Sequence, residues 1–388
     1  MYTLLLSIIY LAFISLGLPD SLLGSGWPVM QAELGVPLSY AGIISTIISV
    51  GTIVSSLCSD FITKKLGAGL VTSVSVGMTA AALFGFSISD SFIMLCIFAI
   101  PYGLGAGAVD AALNNYVALH YSSRHMSWLH AFWGVGVSVS PYVMSFALTR
   151  NLGWQMGYRA ISVVQIVLTA FLFMSLPLWK REAASEKTQG SSDVTMRSAL
   201  KIKGVKYCLI SFFGFGIFEA TAGLWATSYM ALARGVDAEK AAMYASFFYL
   251  GEMIGRFLNG FIADKFGDKT MIKTGIYVMF AGTLLIMLPV SVNYFAIAGL
   301  VIIGLGAAPV YPCIIHSTPE NFGRENSQAL VGIQMSSAYT GCTLAPPVFG
   351  ILAQYVTIKL YPFCLLAAVI LMLAMTSLMN KALSEKNK

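Results

Sequence analysis

"GLPDSLLG", residues Gly17 to Gly24, sets a proline and a carboxylate in the middle of an apolar run, 2–31, that is long enough to cross a membrane as one helix. Lipid offers no hydrogen bonds, so Asp20 at that depth needs water, a partner or a proton. Outward from this run the pattern recurs at 38–63, 69–88, 91–119, 126–149 and 155–179, and then at 205–233, 240–263, 271–290, 294–316, 328–355 and 360–380. Short polar or Pro/Gly-containing breaks separate the runs. A chain of 388 residues that is 57% hydrophobic and 10% charged is far from the composition of a soluble globular protein. These features predict an all-α integral membrane protein with twelve transmembrane helices. The first run lacks a basic n-region and a small-residue cleavage site, so it reads as a retained helix instead of a signal peptide.

Lysine and arginine crowd into every second loop: Lys64 and Lys65, Arg124, the group from Lys180 to Lys206, Lys265, Lys269 and Lys273, Arg324, and the group from Lys381 to Lys388. The other loops hold only Arg150, Arg234, Lys240 and Lys359. This asymmetry predicts a multi-pass plasma-membrane protein with both termini in the cytoplasm. It also accounts for the net charge of +6 through contact with anionic lipid, which removes the reason to expect a nucleic-acid partner. The six cysteines make no C-x-x-C pair and read as reduced packing residues. His120 and His125 have no cysteine or acidic ligand close by in the sequence, so no metal and no cofactor are expected.

The longest internal polar interval, 180–204, reads as a cytoplasmic linker between six-helix bundles at 1–179 and 205–388. The halves align. GLPDSLLG at Gly17 matches GIFEATAG at Gly216 (216 − 17 = 199), pairing Asp20 with Glu219. Further matches follow in order: Gly51 with Gly255, which pairs Asp60 with Asp264, then Gly103 with Gly304, and Gly136 with Gly341 (341 − 136 = 205). Offsets this similar argue for duplication. With six helices in each half, the repeat is parallel, an arrangement used by transporters that bind solute near the membrane midplane.

The eighth run ends in GFIADKFGDK, 260–269, which fits G-x-x-x-D-[RK]-x-G-x-[RK] through Gly260, Asp264, Lys265, Gly267 and Lys269. In this motif, the twelve runs and the linker, the chain resembles the major facilitator superfamily over essentially its whole length. The resemblance implies two pseudo-symmetric six-helix bundles, alternating access, and a gating role for the cytoplasmic loop that carries the motif. The first-half copy, SLCSDFITKKLG at 56–67, keeps Asp60 but has Ser56 and Phe61 in place of the glycine and the basic residue. The fourth run, GLGAGAVDAALNNY at 103–116, is similar to the fucose permease branch of sugar/proton symporters in its Gly-rich approach, its acid and its asparagine four residues on. That resemblance implies solute or proton roles for Asp110, Asn114 and Asp20, a sugar or polyol as the small-molecule substrate, and a monomer in the lipid bilayer. Asp stands here where fucose permeases have Glu, and Glu219 is an additional acid.

At helical spacing Gly103, Gly107, Asp110 and Asn114 form one stripe, as do Asp20, Gly24 and Trp27, while Glu219 and Gly223 lie together with Trp225 slightly to one side. Acid beside tryptophan suits a sugar: a carboxylate accepts hydroxyl hydrogen bonds and an indole packs the C–H face. Asp20, Asp110 and Glu219 are the candidate proton carriers, with a purely structural hydrogen-bonded network as the alternative. His130, Trp133, Asn115, Tyr311, Gln334 and Tyr339 complete the candidate solute contacts. Glu252 and Arg256, at i and i+4, read as a self-neutralised structural pair, or Arg256 as docked on the cytoplasmic loop network. Pro19, Pro141, Pro309, Pro312 and Pro346 mark helices expected to bend.

The expected function is proton-coupled symport of a sugar or similar polar solute. Export of sugars or drugs, or a non-transporting nutrient sensor, are the alternatives. No Ser/His or metal set supports an enzyme, and a sensor would carry a larger soluble output domain than the interval at 180–204.

Overall fold

The computed structural model describes residues 2–37, 40–186, 198, 200–236, 238–290 and 293–385. About half of the interval read as a linker, 187–197 and residue 199, lies outside the described residues, as do Lys386 and Lys388. No strand occurs among the described residues. The first half runs through α1 (Tyr2–Asp20), α2 (Leu22–Glu33), α3 (Ala41–Leu66), α4 (Ala68–Ser87), α5 (Phe92–His120), α6 (Ser123–Thr149) and α7 (Trp154–Glu186). The second half has α8 (Val205–Ser228), α9 (Ala238–Phe266), α10 (Asp268–Met287), α11 (Tyr294–His316), the short α12 (Thr318–Phe322), α13 (Ser327–Tyr355) and α14 (Tyr361–Ser384).

Ten helical segments among the described residues are long and apolar enough to cross a membrane, with Leu4–Trp27 of α1 and α2 counted as one. The expectation of twelve is met by α9 and α13, each 29 residues long. They fall below the other ten in apolarity because α9 carries Glu252, Arg256, Asp264 and Lys265, and α13 is rich in serine, threonine and glutamine. Outward faces carry Ile93, Met174 and Leu232, each at least 70% exposed, a surface that suits lipid and not water.

Two compact units result. The first contains Met1–Tyr116 and Leu129–Ser192; the second contains Val117–Trp128 and Asp193–Lys388. The end of α5 and the start of α6 therefore pack with the second unit.

In the first unit the opening stretch breaks the helix at Ser21, between α1 and α2. Proline cannot donate to the carbonyl four residues earlier, so Pro19 orphans the Ser15 carbonyl. Gln165 Nε2 donates to that carbonyl at 2.7 Å, while Gln165 Oε1 accepts from Thr79 Oγ1 at 2.8 Å. Pro141 of α6 orphans the Val137 carbonyl in the same way, and Ser21 Oγ donates to it at 2.7 Å. Both bends are thus tied down by side chains from other helices. Replacing Gln165 with leucine should cost about 1–3 kcal/mol, the desolvation penalty of a buried polar group left unpaired. Thermal unfolding of the purified protein checks this, and a Gln165→Leu variant as stable as the wild type would remove the assigned role.

The duplication is visible in the helix crossings. A methyl group built on Gly17 would collide with the Trp133 carbonyl, and one on Gly136 with the Ile14 carbonyl, so α1 and α6 cross backbone to backbone. In the second unit Gly216 meets the Ala338 carbonyl and Gly341 the Phe213 carbonyl, giving the same crossing between α8 and α13. These are the glycines that the two aligned segments pair.

Candidate functional site

In the first unit α1 presents Asp20, an exposed residue, one position before its break. Tyr102 of α5 donates its hydroxyl to Oδ1 at 2.8 Å, and Trp133 of α6 donates its indole N–H to Oδ2 at 3.0 Å. An ionised carboxylate offers about four acceptor positions, so two donors leave capacity for hydroxyls from a solute. Trp133 is therefore the indole beside the acid. Trp27 is instead 4% exposed within the apolar cluster that includes Leu22, Met30, Ile44 and Met144. The stripe projected from Asp20 to Trp27 runs across the break at Ser21, where the helical phase is not continuous.

A second polar group lies about two to three helical turns beyond Tyr102 along α5. Asn114 donates to Asp110 Oδ1 at 2.8 Å and to the Asp110 carbonyl at 3.0 Å, and its Oδ1 sits 3.0 Å from Nε2 of His130. An amide oxygen only accepts, so in this arrangement His130 carries its proton on Nε2. Every donor in the chain His130, Asn114, Asp110 points toward the carboxylate. Phe13 packs edge-on against the His130 ring at 5.5 Å, and Asn115 is buried beside Asn114 on the same helix.

The second unit repeats the acid but surrounds it differently. Glu219 of α8 lies 3.4 Å from Arg256 Nη2, and the same nitrogen is 2.7 Å from Glu252 Oε1. The Glu252 and Arg256 pair, expected to be self-contained, is thus a triad with Glu219. Tyr249, one turn before Glu252 on α9, reaches Gly223 of α8 with its hydroxyl. Trp225 donates its indole N–H to the Pro346 carbonyl at 3.1 Å and meets Phe349 edge-on. Tyr311 stacks on Phe212 with centroids 4.9 Å apart. Tyr339 is half-buried on α13. Gln334 is 1% exposed and spent on Thr318 and Cys208. It pegs α13 to its neighbours inside the unit, where a solute contact was expected.

The loop motif is also built within the second unit. Asp264 Oδ1 accepts from the Arg124 backbone N–H at 3.0 Å, at the start of α6, and Oδ2 accepts from Ser122 Oγ at 3.0 Å. A carboxylate at that helix terminus satisfies an orphan donor and complements the helix dipole. Gly260 lies against the Trp128 indole, and Lys265 and Lys269 flank the turn. Gly267 takes φ +76° and caps α9 through a bond to the Ala263 carbonyl at 2.8 Å. Gly67 takes φ +79° and caps α3 onto Thr63 at the same distance, so the turn recurs where the sequence motif is degraded. The glycines are 200 apart (267 − 67) and the acids 204 (264 − 60); the difference of four is about one added helical turn in α3. Asp60 pairs there with Lys64 at 2.9 Å.

Several residues of these groups carried no signal in the sequence. Tyr102 is a single tyrosine in an apolar run. Asp268 and His316 are a hydrogen-bonded pair at 2.6 Å, with His316 Nε2 also 2.9 Å from the Tyr121 carbonyl. Tyr249 alone was readable, since 249, 252 and 256 share a helix face.

Comparison with known proteins converges on one family. The chain matches the profile of the Major Facilitator Superfamily over residues 9–346 and 208–387. It is 23% identical to a cis,cis-muconate transport protein of Acinetobacter baylyi over 363 residues, covering 89% of this chain and 86% of that protein. It is 22% identical to a glucose/mannose transporter of Bacillus subtilis over 320 residues, covering 78% and 77%. Its fold is similar to that of the fucose:proton symporter of E. coli, with a TM-score of 0.76, 14% identity and coverage of 97% and 99% of the two chains.

Proposed function

As the chain belongs to the Major Facilitator Superfamily, and is thus a multi-pass membrane transporter and not an enzyme, we propose that it carries a sugar or similar polyol by proton-coupled symport. The observation that carries this reading is Asp20: an exposed carboxylate inside a membrane helix, with an indole and a phenol as its fixed donors. Such a group accepts solute hydroxyls in pairs, and Trp133 supplies an apolar ring next to it. Asp110, backed by Asn114 and His130, and Glu219 supply further acids that exchange a proton during alternating access. No cofactor is needed. The fucose permease resemblance of α5 and the lysine and arginine asymmetry support a plasma-membrane monomer with both termini in the cytoplasm.

The test is uptake by the purified chain in proteoliposomes, using a panel of labelled hexoses, pentoses and polyols, with muconate and a hexuronate as acidic comparators. Neutral sugars should accumulate when an inward pH gradient is imposed and only equilibrate without it. If no panel member accumulates under any ion gradient, the symport reading fails.

A further inference from the structure

The acids of the two units differ in what faces them. Asp20 meets the indole N–H of Trp133 and the hydroxyl of Tyr102, and Asp110 meets the amide N–H of Asn114. These carboxylates accept from neutral donors. In the second unit two carboxyl groups converge on one cation: Arg256 Nη2 lies 2.7 Å from Glu252 Oε1 and 3.4 Å from Glu219 Oε1. A second ionised carboxylate drawn out of water beside one that is already paired would stand without a counterion of its own. One guanidinium balances one of them, and the triad is closed by a single proton.

We infer that the coupling proton of the symport cycle is held, in this conformation, by the Glu219 and Glu252 pair of the second unit, with Arg256 as the shared counterion. This rests on the symport reading above. Glu252 has the shorter ion pair and a side chain 4% exposed, whereas the Glu219 side chain is 25% exposed. Glu219 is therefore the member that carries the proton and can pass it on, and Glu252 is the member that stays paired. The other titratable groups facing the triad are Tyr249 of α9 and Cys342 of α13, neither of which supplies a charge at neutral pH. From α11 the neighbour is the backbone at Gly304, packed on the Glu252 amide. When the proton leaves Glu219, Arg256 must serve two anions. The contact between α8 and α9 thus depends on the protonation state, which is what coupling requires of a proton site.

Infrared spectra of the full chain in lipid nanodiscs, without solute, test the assignment through the carbonyl stretch of a protonated carboxyl, which carboxylates lack. At neutral pH the band should be present in the wild type and in Asp20→Asn, and absent from Glu219→Gln. It should also be absent from Glu252→Gln, where Arg256 is left to pair with Glu219 alone. A band that survives in both glutamate variants, that disappears in Asp20→Asn, or that is missing from the wild type overturns the inference. Monodisperse elution of each variant guards against misfolding. In proteoliposomes with the membrane potential clamped at zero and a pH gradient of about one unit, one-proton symport accumulates solute about tenfold. The wild type should approach that ratio and Glu219→Gln should stop near equal concentrations; wild-type accumulation retained by Glu219→Gln overturns the inference. Failure of the wild type to accumulate any sugar removes the symport reading instead, while the spectra still decide where the proton sits.

Discussion

Asparagine in place of Asp20 is expected to weaken solute binding by about ten- to a hundredfold, because hydrogen bonds to a charged acceptor contribute about 1.5–3 kcal/mol and each 1.4 kcal/mol is tenfold. The substitution removes more than a charge. Both carboxylate oxygens now face donors, Tyr102 on one side and Trp133 on the other. An asparagine can offer an oxygen to only one of them and turns an N–H toward the other. Since an indole N–H cannot accept, the amide oxygen must turn to Trp133, and the Tyr102 side then presents a donor where the solute needs an acceptor. Tyr102→Phe leaves the carboxylate in place and removes a single donor, so its loss should be the smaller of the two. Binding of a labelled sugar to the purified protein, read as Kd, checks both; an Asp20→Asn Kd within about twofold of wild type would remove Asp20 from the solute site.

The legible parts of this protein are those written in one dimension. Apolar runs of membrane length are strong signals, and the paired glycines at Gly17 and Gly216, and at Gly136 and Gly341, mark crossings that each unit builds in the same way. Asp110 with Asn114, and Glu252 with Arg256, were readable because i, i+4 neighbours meet on any helix. What was not readable depends on contacts between helices. Tyr102 reaches Asp20 across 82 positions and Arg256 reaches Glu219 across 37, and no periodicity announces either. Trp27 shows the opposite failure. A stripe is a valid inference only along an unbroken helix, and the proline that made the opening stretch conspicuous also ended the helix before Trp27. Gln334 looked like a solute ligand because it is polar at membrane depth, but burial with Thr318 and Cys208 satisfies it within the protein. The second Gly-turn at Gly67 escaped because a pattern with fixed spacing does not tolerate an inserted helical turn, whereas the backbone does.

Arg256→Leu is expected to be the most destabilising single change in the membrane-embedded part of the second unit, costing about 3–5 kcal/mol, as does breaking a buried ion pair by removing one partner. Arg256 is 5% exposed, and its loss leaves Glu252 and Glu219 facing each other with no cation. The cost comes from the stranded carboxylate and not from the missing arginine as such, which yields two further expectations for one measurement, thermal unfolding of the purified protein. Acidification should shrink the gap between variant and wild type, because protonating the remaining carboxylate removes the buried charge. The triple variant Glu219→Gln, Glu252→Gln, Arg256→Leu should recover most of the loss, since replacing a whole buried ionic group by neutral side chains is often close to neutral in stability. A triple variant no more stable than Arg256→Leu, at neutral pH, would mean that Arg256 acts by packing its long side chain between α8 and α9, and the charge-balanced triad would have to be abandoned. Recovery in the triple variant, together with lost accumulation, would separate the two properties of this group: its neutrality holds the helices together, and its exchangeable proton makes their contact responsive.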